Sequence, residues 1–216
     1  SLSEEGRCFF VLAGFWRLYE AAAFDYQSPI KNFGETLEVG PLEEAACRAL
    51  ATKPMASMNI RFAEAELVDR ILRETGRRAN LVAIACNEIL KSLETGGRVI
   101  EPRHVEAALA SREIETALAG WEQLVDNEAA SRMDKIIVYA TVRRDAFTFV
   151  ELLELLRGHG AKASPDAVKR SLARLELAFI LRVKEGRFSY PVPLFQKLVV
   201  GQGPDACLQA ELRHGG

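Results

Sequence analysis

The residues of this chain best suited to chemistry are cations, and the chemistry open to them is the binding of anions. Arg77 and Arg78 stand side by side after Thr75-Gly76. Lys169, Arg170 and Arg174 recur on one side of a helical pattern, and Arg182, Lys184 and Arg187 flank Glu185-Gly186. Guanidinium groups bind phosphate oxygens bidentately and ammonium groups bind them as point charges. Solvated surface is the ordinary fate of exposed arginines and lysines, so position has to single out any that do more.

Bond-making machinery is not evident. There is no GxxxxGK[ST] phosphate cradle, no HExxH, no GxSxG, and no paired Cys and His in a supporting context. Cysteines at 8, 47, 86 and 207 form no CxxC, and histidines at 104, 159 and 214 have no Cys or carboxylate partner at metal-ligand spacing. No metal site and no catalytic residue is expected, and the cysteines read as reduced, buried thiols.

With 216 residues, 49% of them hydrophobic and 27% charged, and a net charge of −2, the composition is that of a globular protein with material for one or two cores. The apolar run from Cys8 to Trp16 is too short for a membrane span, which needs roughly 20 residues. A cytoplasmic protein without membrane contact is expected. Charge is unevenly spread: residues 1–130 hold 14 Lys+Arg against 21 Asp+Glu, whereas residues 131–200 hold 13 against 7. The basic second part makes an anionic partner such as DNA worth considering. The absence of an initial Met and the early apolar run suggest a piece excised from a longer protein.

The elements that would position these cations are mostly helical. Residues 7–13 read as a buried strand ended by Gly14, residues 15–23 as a helix, 24–33 as a loop around Pro29 and Asn32, and 36–39 as a short extended piece. Helices are expected over 42–51, stopped before Pro54, then 63–75 closed by Gly76, 79–93, and 102–111 opened by Pro102. Four short amphipathic helices in succession make a small bundle. Residues 112–119 read as a connector, 121–141 as one long helix, and 148–156 as another. Ser164-Pro165-Asp166 supplies a cap, a first-turn proline and an acid to open the next. Residues 179–184 and 187–192 read as strands around the two-residue turn Glu185-Gly186. Three helices followed by a hairpin are the layout of a winged helix. A short helix closes the region over 193–200, and 201–216 carries no persuasive pattern. On the third helix, Val168, Leu172 and Leu175 share the core face, and Lys169, Arg170 and Arg174 are expected to point outward.

The segments Phe10-Val-Leu-Ala-Gly14, Ser28-Pro29 with Asn32-Phe33, Gly40-Pro41-Leu42, Pro54, and Arg70-Ile-Leu-Arg-Glu-Thr-Gly76 together resemble the end of the ATPase core and the helical lid of AAA+/STAND-type P-loop ATPases. The basic half, ending in Phe188-Ser-Tyr-Pro-Val-Pro-Leu-Phe195, is similar to the winged helix that follows that lid. The resemblance implies a mainly α chain with a core remnant over 1–37, a lid over 38–118, a winged helix over 119–200 and a tail over 201–216. It implies a regulatory segment, inactive alone, of a parent ATPase that binds ATP and Mg²⁺ through a missing N-terminal core. Pro29, Asn32, Gly76, Arg77 and Arg78 are then the nucleotide-side residues, with Arg77 or Arg78 giving a sensor-like charge to a phosphate. The family's lid places a proline near adenine where this chain has Ala79, which puts that contact in doubt. Two other readings stand beside it. One is a DNA-binding regulator acting through Lys169, Arg170, Arg174, Arg182, Lys184 and Arg187. The other is a protein-interaction or self-associating module built on an exposed apolar lid surface.

Overall fold

A computed structural model describes residues 11–32, 35, 37, 39–94 and 96–213 of the chain, which divides into two units at Val39 and Gly40. The expected strand over 7–13 falls mainly outside the described residues. Its described part, Val11 to Ala13, forms no strand, and Val11 is 93% exposed. A strand needs a neighbour to take up its backbone donors and acceptors, and no described residue pairs with this segment. Of the extended piece over 36–39, Leu37 and Val39 are exposed and irregular, while Thr36 and Glu38 fall outside the described residues. In this first unit, helix α1 (Trp16–Ala23) buries Trp16 against Tyr19 and Phe24, with ring centroids 6.0 Å away. A single 3-10 turn, Pro29–Asn32, follows.

The second unit opens with α2 (Glu44–Ser57), which runs through Pro54 instead of stopping before it. That proline is exposed and lies in the last turn, where the bond it cannot donate to the Leu50 carbonyl is lost close to the helix end. Strand β1 (Arg61–Phe62), α3 (Glu66–Glu74), α4 (Ala79–Ser92), β2 (Val99–Ile100) and α5 (Pro102–Leu109) come next. The two short strands pair in parallel, Arg61 with Val99 and Phe62 with Ile100, and tie the loop before α3 to the loop before α5. Leu67, Val68, Ile71 and Leu72 of α3 are all buried, as are Leu81, Val82, Ala85 and Ile89 of α4. The segment expected as a connector is a helix, α6 (Arg112–Ala119), capped by Ser111.

The long helix expected over 121–141 is two elements. A 3-10 turn, Gly120–Gln123, carries Trp121, and α7 (Glu128–Thr141) starts afresh because the Asn127 side chain accepts from the Ala130 N–H at 2.9 Å. Strand β3 (Phe147–Thr148) leads into α8 (Phe149–Gly158), and Ser164 caps α9 (Pro165–Leu177) as its sequence signals foretell. Strands β4 (Arg182–Lys184) and β5 (Arg187–Ser189) form the hairpin, shorter than expected at both ends. Its turn residues Glu185 and Gly186 have φ of 53° and 74°, the pair of left-handed residues that a tight two-residue hairpin needs. β3 joins the other edge of β5, so the sheet order is β3-β5-β4, antiparallel throughout.

Helix α10 (Pro193–Gly201) closes this region, and residues 204–213, which carry no pattern in the sequence, form α11 (Pro204–Arg213). α11 packs on α7, with Leu208 buried, Arg143 paired to Asp205 at 2.6 Å and Glu211 near both Arg132 and Lys135. One hydrophobic cluster joins α2–α6 to the elements after them. Trp121 sits in it with its ring edge-on to Tyr139 and Phe195, 5.6 Å between centroids in each case. Among the described residues the chain is mainly helical with two small sheets, and no helix is long and apolar enough to cross a membrane.

Candidate anion-binding turn

Between α3 and α4 the chain reverses within four residues, and three of them are sequence candidates. Thr75 is fully buried and its hydroxyl donates to the Ile71 carbonyl at 2.7 Å, closing α3. Gly76 and Arg77 both adopt left-handed backbone, with φ of 58° and 59°. The N–H of Arg77 reaches back to the Leu72 carbonyl at 3.0 Å, while the Arg77 carbonyl accepts from the Leu42 N–H at 3.3 Å. A non-glycine residue in this conformation costs about 1 kcal/mol, so the surrounding bonds are what hold Arg77 there.

Arg78 is the N-cap of α4, but no side chain caps that helix and its first turn carries no acid. Among the described residues, therefore, neither the cap residue nor the first turn of α4 gives its first N–H groups a side-chain or acidic partner, at the end of the helix where the backbone dipoles present positive charge. The Arg78 guanidinium is partly buried, and desolvation pushes its pKa down. Among the described residues no carboxylate is bonded to it. Arg77 is likewise partly buried, close enough to Cys47 to oppose the upward push that burial gives this thiol. Two arginines with no bonded carboxylate among the described residues, beside an uncapped helix start, give a surface to which an anion adds charge neutralisation and hydrogen bonds together.

The other candidates are distributed differently. Pro29 and Asn32 lie in the 3-10 turn of the first unit. Lys169 and Arg170 are exposed on α9, the lysine with its Nζ 5.7 Å from the Phe149 ring centroid. Arg182, Lys184 and Arg187 are exposed on the hairpin, where strand pairing sets Lys184 opposite Arg187. Arg187 also lies 3.9 Å from a Glu151 oxygen, so part of its charge is already matched.

Arg174 does not point outward. It is 2% exposed and forks onto Asp134 of α7, Nε to Oδ2 at 2.6 Å and Nη2 to Oδ1 at 2.7 Å, with Ser171 and the Ala130 carbonyl each 3.1 Å from Nη2. The inner face of α9 is wider than the apolar stripe Val168, Leu172 and Leu175, because α7 packs beside it and supplies a buried carboxylate. Residue type alone does not set Asp134 apart from the other acids of the sequence. The signal was its spacing, since residues 134, 137, 138 and 141 repeat as i, i+3, i+4 and i+7 and are all buried.

Two contacts at the turn had no sequence signal. A Cβ placed on Gly76 would lie 2.6 Å from the Pro191 carbonyl oxygen, and Lys197 of α10 pairs with Glu74 at 2.7 Å. Among the described residues no group of His, Cys, Asp and Glu is arranged to hold a metal ion. No family model, no curated protein and no solved structure matches this chain.

Proposed function

We propose that this chain is a regulatory segment of a nucleotide-dependent P-loop ATPase of the AAA+/STAND kind, in which α2–α6 serve as the lid and α7–α10 with the β3-β5-β4 sheet as a winged helix. The observation that carries the reading is the turn at Gly76 to Arg78. It offers a desolvated guanidinium, with no bonded carboxylate among the described residues, at the uncapped start of α4, which suits the phosphates of ATP held on an ATPase core. Ala79 leaves no proline for an adenine contact, so the turn is assigned to the phosphates and not to the base. The segment does no chemistry of its own. It changes its packing on the core as the phosphate charge is gained and lost.

The test is ATP hydrolysis by the full-length gene product, beside its Arg78→Ala and Arg77→Ala variants. A charge-assisted hydrogen bond contributes about 1.5–3 kcal/mol, so loss of the contacting arginine should lower kcat/KM roughly ten- to hundredfold. Wild-type rates in both variants, or a coding sequence with no Walker motif, would remove the proposal.

A further inference from the structure

Gly76 is where the phosphate turn touches the second half of the molecule. The contact is made with backbone. Besides the 2.6 Å approach to the Pro191 oxygen, its added Cβ would lie 2.8 Å from Val192 Cγ2, and a carbonyl cannot swing aside as a side-chain tip can. Pro191 and Val192 link β5 to α10. On one side of that link, the Tyr190 hydroxyl is bonded to Thr141 Oγ1 at 2.6 Å and lies 3.3 Å from the Val138 carbonyl. On the other, Gln196 donates to the Val142 carbonyl at 3.1 Å and Lys197 holds Glu74 of α3 at 2.7 Å. The link is therefore fixed to α7 at both ends and pressed against the turn in its middle.

We infer that Pro191 and Val192 are positioning residues for the turn at Gly76, and that displacement of the turn is passed through them to the β4–β5 hairpin. The identity of what displaces the turn rests on the phosphate reading above; the mechanical contact does not. Left-handed backbone alone does not explain glycine at position 76. Arg77 next to it tolerates the same φ with a side chain, and Gly96 has φ of 88° with nothing within 4 Å of an added Cβ. What distinguishes Gly76 is the approach of a neighbouring chain.

That contrast supplies a matched control. Gly76→Ala and Gly96→Ala place the same methyl group in left-handed backbone, and only the first drives it into the Pro191–Val192 link. Amide hydrogen exchange of the 216-residue chain should show the N–H groups of β5 and α10 exchanging at least tenfold faster in Gly76→Ala than in Gly96→Ala. The α9 amides should match in the two variants. Equal exchange across β5 and α10, or uniform loosening of the whole unit, overturns the coupling. If Gly76→Ala does not fold, Val192→Ala answers from the other side: the Arg77 and Arg78 amides should exchange several-fold faster, and unchanged exchange there overturns the inference. The two ideas fail separately, because wild-type ATPase rates in the arginine variants would remove the phosphate reading and leave the exchange contrast intact.

Discussion

At the scale of single residues, Asp134 and Arg174 carry a large penalty if disturbed. Each is about 2% exposed, and the fork between them is completed by Ser171. Burial pushes the Asp134 carboxyl up while the Arg174 guanidinium and Ser171 pull it down, so the ionised carboxylate depends on its partner being in place. Removing one partner strands the other charge in the core. Asp134→Ala or Arg174→Ala should therefore lower unfolding stability by about 3–5 kcal/mol in denaturant titrations. The double replacement Asp134→Leu with Arg174→Met removes both charges and should recover much of that loss. A double variant no more stable than the singles would show that the fork itself, and not the desolvated charge, dominates.

At the scale of elements, what was legible in the sequence was local. Ser164-Pro165-Asp166 announces the start of α9, and Glu185-Gly186 announces the hairpin turn, because each signal is satisfied by atoms within a few residues of itself. The β1–β2 pairing left no trace, since two residues on each side are too few to show alternation and their partners are remote in sequence. α11 was missed because its apolar residues, Cys207, Leu208 and Leu212, are too sparse to reveal a face without knowledge of α7 opposite them. The same distinction holds at the candidate site. Gly76, Arg77 and Arg78 were readable as a helix-ending turn, whereas the approach of Pro191 belongs to tertiary packing alone.

Local signals also carry a pH dependence. In the α8 capping box the Thr148 N–H donates to Glu151 Oε2 at 2.6 Å and the Glu151 N–H donates to Thr148 Oγ1 at 3.2 Å. That backbone bond holds the Glu151 carboxyl below its ordinary range, with the hydroxyl of Thr148 and the Arg187 and Arg144 cations adding to the effect. A depressed folded pKa contributes stability above the unfolded pKa that is lost as pH falls through the folded one. Glu151→Gln keeps the shape of the cap without the titration. The stability advantage of the wild type over this variant, read from thermal melts, should shrink from neutral pH to about pH 3. A constant difference across that range would place the carboxylate's effect elsewhere.

At the scale of the whole molecule, the acidic and basic parts of the sequence raise the question of nucleic acid. Lys169, Arg170, Arg182, Lys184 and Arg187 are exposed on α9 and the hairpin, which favours DNA as a second reading of that surface. Burial of Arg174 and the nearness of Glu151 to Arg187 both reduce the free charge. If the surface binds duplex DNA, its affinity should fall steeply with salt, and Arg170→Ala with Arg182→Ala should reduce the slope of log K against log salt by about 2. Undetectable binding at low salt, or an unchanged slope, would leave protein contact as the role of this face.

The packing of α11 on α7 also sets an order of events during synthesis. α7 packs against both α9 and α11, and its Arg132 and Lys135 find Glu211 only in the last described helix. At about 5–20 residues per second the ribosome delivers α11 several seconds after α7 has emerged. Throughout that interval the face of α7 that α11 covers is left without this partner.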